Sequence, residues 1–283
     1  MRLQILGWWF DSTTNLYIRG ERNLIHNKRK EIIMTMIHSP LEQFEVTPVW
    51  SIALGDTFAF TNTAFFGFIV MFAIFAVLSF GTTNATVVPN RWQTLVEGAF
   101  EFVMTMAKDT IAGQKGEKYF PYLFVTFLTV AMSNLVGMIP YSFTITSQLA
   151  VTLAFGAATF LGVNIVAVRE HGLHFLSFFL PKDAPVALWP LLVPIEIISY
   201  SFRVISLSVR LFVNMMAGHA LLKILAGFSW TMIGMGGVMF IASGFPLIVI
   251  IALTGMELGI AVLQAYVWTV LVCIYLNDAI NLH

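Results

Sequence analysis

A permanent positive charge, Arg210, lies in a long apolar stretch near the C-terminus of the sequence. Its guanidinium stays protonated in proteins. A charge at the centre of a bilayer costs at least about 2.5 kcal/mol on insertion scales, so such residues usually line a water path or pair with another charge. Arg210 therefore indicates a site where charge is handled inside an apolar segment.

Helical spacing places other polar residues on the face that carries Arg210. At about 100° per residue, three of them lie within about 40° of it: Glu196, Arg203 and Asn214. Glu196 is the nearest acid on that helix, about four turns away, so we expect Arg210 to meet an acid from another chain. Glu196 alone could instead be a hydrogen-bonded packing residue. Two interpretations of Arg203 stay open, a second site residue or a member of an ion pair.

His219 points to the opposite face, about 180° from Arg210, and should face a neighbouring helix. The last apolar segment carries Glu257 and Gln264, which share one face within about 20°. Burial disfavours the charged form of a carboxyl, and histidine titrates near neutral pH. We therefore interpret His219 and Glu257 as a proton-passing pair between two helices.

Several other chemistries are disfavoured by the sequence. His171 and His174 have a spacing that could hold a metal, but no third ligand is evident, so we interpret them as interfacial histidines. The single cysteine, Cys273, excludes an internal disulfide, a CxxC zinc site and an iron–sulfur cluster. No GxxxxGK[ST] phosphate-binding motif occurs, so we expect no nucleotide binding. No basic patch follows the N-terminal region, so we expect no nucleic-acid partner.

The composition is that of a membrane protein. Of the 283 residues, 58% are hydrophobic and 11% are charged, against about 25% charged in a typical soluble domain. Such a chain cannot cover a water-facing surface, so most of its surroundings must be lipid. We expect an all-α integral membrane protein.

Apolar runs separate the sequence into candidate helices. Three are long enough to cross a bilayer of about 30 Å: Thr57–Phe80, Tyr119–Ile139 and Ser147–Val168. Arg91–Gly113 mixes charged and apolar residues and predicts an amphipathic helix at the interface. The loop His171–Asp183 is apolar enough in part to lie among the headgroups.

Two segments, 184–228 and 229–276, are longer than one ordinary span. A helix over 194–226 would be about 50 Å long. Each segment either breaks into two upright helices or forms one steeply tilted helix. Within 194–226 no glycine precedes Gly218, which favours a continuous tilted helix. The first half of 229–276 contains several glycines and Pro246, so it could bend.

The N-terminal region differs from the rest. Residues 1–30 contain six Lys or Arg against two acids, which suits either a processed organelle-targeting leader or a disordered tail. We therefore divide the sequence into a leader or tail, residues 1–38, and a single membrane domain, residues 39–283.

SLSVRLFVNMMAGHALLKIL, residues 206–225, resembles the arginine-bearing helix of ATP synthase subunit a. The similarity extends to SPLEQFE (39–45), VPNRWQTLVE (88–97), NLVGMIPYSFTITS (134–147), HGLHFLSFFLP (171–181), LTGMELGIAVLQAYV (253–267) and IYLNDAINLH (274–283). It covers residues 39–283 almost continuously. Having His219 on the arginine helix and Glu257 on the last helix resembles the mitochondrial form.

The resemblance implies one upright transmembrane helix and two long, tilted helices facing a ring of c subunits. It implies that Arg210 meets the ring carboxylates and blocks direct leakage between two half-channels. Glu257, His219, Gln264 and Asn214 would serve the entry path, and Glu196 and Arg203 the other half-channel. Asn134 and Asp278 would support these residues.

The resemblance also implies surroundings and partners. These are the mitochondrial inner membrane, the c ring, the peripheral stalk, other Fo subunits, lipid and a dimer of the whole complex. No cofactor or metal is expected, apart from a bound phospholipid such as cardiolipin. The subunit would not be an enzyme by itself.

Three other classes of protein remain as alternatives. A secondary transporter or channel could use Arg210 to bind an anion, but such folds often contain inverted repeats and broken helices, which we do not find. A respiratory-complex membrane subunit usually places Lys and Glu in paired broken helices. A purely structural membrane protein leaves the Arg, Asn, His, Glu and Gln set unexplained.

Overall fold

A computed structural model describes residues 41–51, 59–83, 85–111, 115–140, 142–172 and 189–281. The predicted leader or tail, most of the loop 171–183, His174 and the start of the segment 184–228 lie outside these ranges. The chain divides into two compact units, residues 1–43 and 44–283, and apart from the 3-10 turn Glu42–Phe44 the fold below belongs to the second.

The architecture is almost entirely helical. The helices are α1 (Asn62–Thr82), α2 (Arg91–Thr110), α3 (Lys115–Gly137), α4 (Leu149–His171), α5 (Trp189–Met235), α6 (Val238–Ala242) and α7 (Gly244–Ile280). Two 3-10 turns, Glu42–Phe44 and Ile145–Ser147, and two short strands, β1 (Pro48–Ser51) and β2 (Ala59–Thr61), complete the described chain. Five of its helical segments are long and apolar enough to cross a membrane, as an integral membrane protein requires.

A pair of short strands that the sequence did not predict overlaps the start of the first apolar run. Strands β1 and β2 pair antiparallel, with Ser51 opposite Ala59. The transmembrane helix predicted from Thr57 therefore begins at Asn62, where the Thr61 side chain accepts a hydrogen bond from the Ala64 amide. Such a cap satisfies one of the free N–H groups at a helix start.

Two helix boundaries also differ from the prediction because charged residues continue the helices. α3 begins at Lys115, before the predicted Tyr119, and its first turn contains Glu117, which favours the positive end of the helix dipole. α4 continues past Val168 to His171 and ends at Gly172, which has a φ of 59°. Lys118 Nζ on α3 lies 2.9 Å from Glu170 Oε1 on α4, so an ion pair joins these two helix ends.

The two long segments behave differently from each other. α5 is one continuous helix of 47 residues, about 70 Å long, so two separate upright helices are excluded for 189–228. It runs past the predicted end, Phe228. The second segment does bend in its first half, because Gly236 and Gly237 adopt φ values of 68° and 58° that only glycine takes readily.

The core lies where α7 packs against α3, α4 and α5. Its largest fully buried side chains include Trp268 on α7, Leu123 on α3 and Leu211 on α5. α2 covers this core through Val103, Met106 and Ala107 while leaving Trp92 and Leu95 exposed. The charged residues Glu97, Glu101 and Lys108 are also exposed, so this helix has the amphipathic character predicted for the segment, and its position at the membrane interface stays a prediction. The packing holds the middle of α5 against the middle of α7, which sets the geometry of the site.

Candidate functional site

His219 and Glu257 meet between α5 and α7, as predicted. The distance between His219 Nδ1 and Glu257 Oε1 is 3.6 Å, and the Glu257 side chain is 4% exposed. This distance is slightly too long for a direct hydrogen bond, and one water or a small shift would connect the groups. A carboxyl and an imidazole in an apolar bundle can exchange a proton.

The other ring nitrogen of His219 is also engaged. His219 Nε2 lies 3.1 Å from Thr144 Oγ1, and Thr144 directly precedes the 3-10 turn Ile145–Ser147. Nothing in the sequence pattern singles out Thr144. A threonine in a non-helical link has no periodicity to mark it, although it lies inside the segment 134–147 that carries the resemblance.

A second polar contact joins the same two long helices. Asn214 Nδ2 on α5 donates to Gln264 Oε1 on α7 at 3.1 Å. Gln264 is 1% exposed, and its Nε2 has no hydrogen-bond partner among the described residues. Asn214 therefore faces α7 more directly than its position on the Arg210 face suggested.

Asn134 connects α3 to α7. It is fully buried, and its Nδ2 donates to the Ala261 carbonyl at 3.1 Å. Within the described ranges, Asn134 Oδ1 and both Glu257 carboxyl oxygens lack a hydrogen-bond partner. Buried polar atoms normally have hydrogen-bond partners, so the space around Asn134 and Glu257 is suited to bound water.

Arg210 lies on the opposite side of α5 and is exposed. In the part of the chain that the structure describes, no acid lies within ion-pair distance of it. Ser206 and Ala217, on the same stripe, are also exposed. An exposed cation on a stripe of small residues can receive an acid from a closely packed neighbour.

Arg203 is a member of an ion pair. Its Nη1 lies 3.8 Å from Asp278 Oδ2 on α7, with both side chains about one-third exposed (36% and 34%). The guanidinium also lies over the Tyr275 ring, 5.8 Å from its centroid. Of the two interpretations that the sequence left open, the structure favours the ion pair.

Glu196 is half-buried near the start of α5 and has no hydrogen bond or ion pair among the described residues. His171 Nε2 lies 2.9 Å from the Ile280 carbonyl, which attaches the end of α4 to the end of α7. No group of three or more possible metal ligands occurs in the described ranges.

Comparison with known proteins gives one consistent relationship. A model of the family described as ATP synthase A chain matches residues 64–277. The chain is 48% identical to ATP synthase subunit a of Marchantia polymorpha over 252 residues, 88% of this chain and 100% of that protein. It is 50% identical to the Brassica napus subunit a (87% of this chain, 97% of that protein). It is 45% identical to the Chondrus crispus subunit a (88% and 98%).

Proposed function

The chain belongs to the ATP synthase A chain family, and we propose that it is the stationary proton-channel subunit of such a synthase. It provides two offset half-channels and an essential arginine, and together these couple proton flow to rotation of a c-subunit ring. The subunit binds no nucleotide and has no catalytic activity by itself.

The observation that carries the proposal is the opposed arrangement of Arg210 and His219 on α5. Arg210 is exposed without an acid of the described chain beside it, whereas His219 faces inward to Glu257. A fixed cation at the surface attracts an ionised carboxylate of a partner. His219 and Glu257, on the opposite side of α5, can deliver protons without contacting the carboxylate that Arg210 binds.

Coupling follows from this separation. One proton crossing 100 mV gains about 2.3 kcal/mol, so several protons must be combined through rotation to drive ATP formation. A proton must then be unable to cross without moving the ring. In our proposal Arg210 supplies that barrier, because it admits only deprotonated ring carboxylates between the two paths.

The first path runs through the buried polar set behind Arg210. Glu257 and His219 exchange protons, Asn214 and Gln264 orient side chains and water, and Asn134 holds α7 in position through the Ala261 carbonyl. The unsatisfied atoms of Asn134, Glu257 and Gln264 support the presence of water along this route.

The second path uses Glu196 and Arg203, which precede Arg210 on α5, and Asp278 on α7. The ion pair between Arg203 and Asp278 brings a charge of α5 to the C-terminal end of α7. These charges are a third exposed, as expected for groups that line an aqueous opening.

Exposed small residues on both long helices support a close-fitting partner. Ser206 and Ala217 on α5 and Gly255 and Gly259 on α7 are all exposed. Small side chains let helices approach closely in membranes. The proposed partners are therefore the c ring at this surface, together with the peripheral stalk and other Fo subunits elsewhere, within a dimer of the whole complex.

The proposed location is the mitochondrial inner membrane, which the arrangement of His219 and Glu257 on these helices supports. We propose no cofactor or metal. The exposed apolar residues, among them Phe68, Phe72 and Phe75 on α1, suit contact with lipid, including a bound phospholipid such as cardiolipin. Residues 1–38 are proposed as a leader or tail, and 39–283 as one membrane domain.

The test replaces Arg210 with Ala or with Lys in the assembled synthase and measures ATP-driven proton pumping in membranes. We expect loss of coupled pumping in Arg210→Ala. The matched control is Arg169→Ala, which removes an exposed arginine from the last turn of α4 and should pump normally. Normal coupled pumping by Arg210→Ala would overturn the proposal.

A further inference from the structure

Thr144 contacts the ring of His219 on the side away from Glu257. The Thr144 hydroxyl oxygen lies 3.1 Å from His219 Nε2 and 3.1 Å from the Gly137 carbonyl oxygen. Thr144 itself is 5% exposed, so water does not compete freely for these positions. Its one hydroxyl proton can serve only one of the two neighbours.

The Gly137 carbonyl decides where that proton goes. A carbonyl oxygen only accepts hydrogen bonds, and Ser142 is the other described side chain within reach of it, at 3.1 Å. The Ser142 hydroxyl is nearer to the carbonyls of Val136 and Ile139, at 2.7 Å each. It therefore donates its single proton to one of these two carbonyls and not to Gly137. Thr144 therefore donates to Gly137 and offers a lone pair to His219.

We propose that Thr144 is a positioning residue that fixes the tautomer of His219. Because the Thr144 oxygen accepts, His219 Nε2 carries the ring proton, and Nδ1 of the neutral ring keeps its lone pair. That lone pair lies 3.6 Å from Glu257 Oε1. Nδ1 is then the atom through which His219 exchanges protons with Glu257.

The proton step is balanced by these two residues. When the Glu257 carboxyl donates, after a small shift of the side chains or through one bridging water, its O–H bond breaks and an N–H bond forms at His219 Nδ1, leaving a carboxylate and an imidazolium. The return transfer restores both neutral groups. Thr144 holds the Nε2 proton throughout, so the ring neither rotates nor loses a proton from its other side.

The close approach of Gly137 supports the same arrangement. A side chain at residue 137 would place its Cβ 2.7 Å from Thr144 Cγ2 and 2.9 Å from Thr144 Oγ1. The absence of a side chain there lets the carbonyl at the end of α3 reach the Thr144 hydroxyl. The end of α3 thus fixes the direction of the Thr144 hydroxyl proton, and that hydroxyl in turn fixes the tautomer of the His219 ring.

The tautomer can be measured without proton transport. The assembled synthase is labelled with ¹⁵N-histidine and studied by solid-state NMR in membranes, and the His219 signals are identified by their loss in His219→Gln. We expect a protonated Nε2 and an unprotonated Nδ1. Thr144→Val keeps the shape and should give a mixture of tautomers or the reverse one, whereas Thr144→Ser should retain the original signals.

One control and two contradicting outcomes complete the test. Thr126→Val, another buried threonine, whose hydroxyl bonds within α3 to the Tyr122 carbonyl, should leave the His219 signals unchanged in a normally assembled complex. A protonated Nδ1 in the unmodified protein, or unchanged signals in Thr144→Val, would overturn the tautomer assignment.

The transport role of Thr144 rests on the proposed function, so it needs a separate measurement. We expect ATP-driven pumping to fall several-fold in Thr144→Val and to recover in Thr144→Ser. If the tautomer changes in Thr144→Val while pumping stays normal, the transport role is wrong although the tautomer assignment holds. Normal coupled pumping by Arg210→Ala would instead contradict the proposed function, and it would leave the NMR result unaffected.

Discussion

Gly218 on α5 faces the Glu257 carboxyl so closely that a Cβ added at residue 218 would lie 2.5 Å from Glu257 Oε1 and 2.9 Å from its Cδ. Gly218 immediately precedes His219, whose Nδ1 lies 3.6 Å from the same oxygen. The missing side chain at 218 therefore makes the space in which the carboxyl reaches the imidazole. The contact depends on a glycine as much as on the two titratable groups.

Adding one methyl group at this position should disturb the pair. We expect Gly218→Ala to displace the Glu257 carboxyl and to lower ATP-driven pumping several-fold, and Gly218→Val to lower it further, because atoms closer than about 3 Å must move apart. Proton pumping in membranes with equal amounts of assembled complex is the measurement. Gly227→Ala is the matched control, since a Cβ there meets nothing within 4 Å.

Glu257 is expected to limit the rate of proton entry without acting as the barrier. Glu257→Gln keeps the shape of the side chain but cannot exchange a proton with His219, so pumping should become slow while remaining coupled. The comparison is between pumping rate and passive proton leak in membranes whose ring is held still. Rapid passive leakage in Glu257→Gln would contradict its place in an access path.

The faces of the long helices could be predicted because α5 has a constant period over 47 residues. With no break between Arg210 and His219, nine residues make two and a half helical turns, so the two side chains point to opposite faces. Charged and amide groups in an apolar helix also stand out strongly. The pairing of His219 with Glu257 followed from these two facts.

Contacts made by link residues could not be predicted in this way. Thr144 lies between α3 and a 3-10 turn, where no helical period assigns a direction, and threonine is common in apolar segments. Helical angles also give the direction of Cα–Cβ bonds only. The Asn214 side chain is therefore able to reach Gln264 although its Cα lies towards the Arg210 face.

Distant pairings were equally hard to read from the sequence. The ion pair between Arg203 and Asp278 joins residues far apart in the chain, and its existence depends on how α5 and α7 align. The β1–β2 hairpin likewise arises from pairing across a link rather than from a strong alternation of polar and apolar residues. Such features need the tertiary structure.

The Arg203–Asp278 pair should contribute little to stability. Both side chains are about one-third exposed and the atoms lie 3.8 Å apart, so we expect a coupling energy of at most about 1 kcal/mol. A double-mutant cycle with Arg203→Gln and Asp278→Asn, read by thermal unfolding of the complex, measures it. A coupling of several kcal/mol would show that the charges are shielded from water in the complex.

Asn134 should contribute more, because its amide is fully buried and donates to a backbone carbonyl of another helix. Asn134→Leu removes the donor to the Ala261 carbonyl and leaves that acceptor without it, at a cost of about 1–3 kcal/mol. Thr129→Ala on the same helix removes a hydroxyl whose one hydrogen-bond partner among the described residues is the Val125 carbonyl of α3, and it should change stability less. Thermal unfolding of the complex ranks the two variants.

Because α3 sets the position of α7 through this bond, Asn134→Leu should also slow pumping by shifting Glu257 relative to His219. Equal stability of the two variants would show that the Asn134 hydrogen bond does not hold α7.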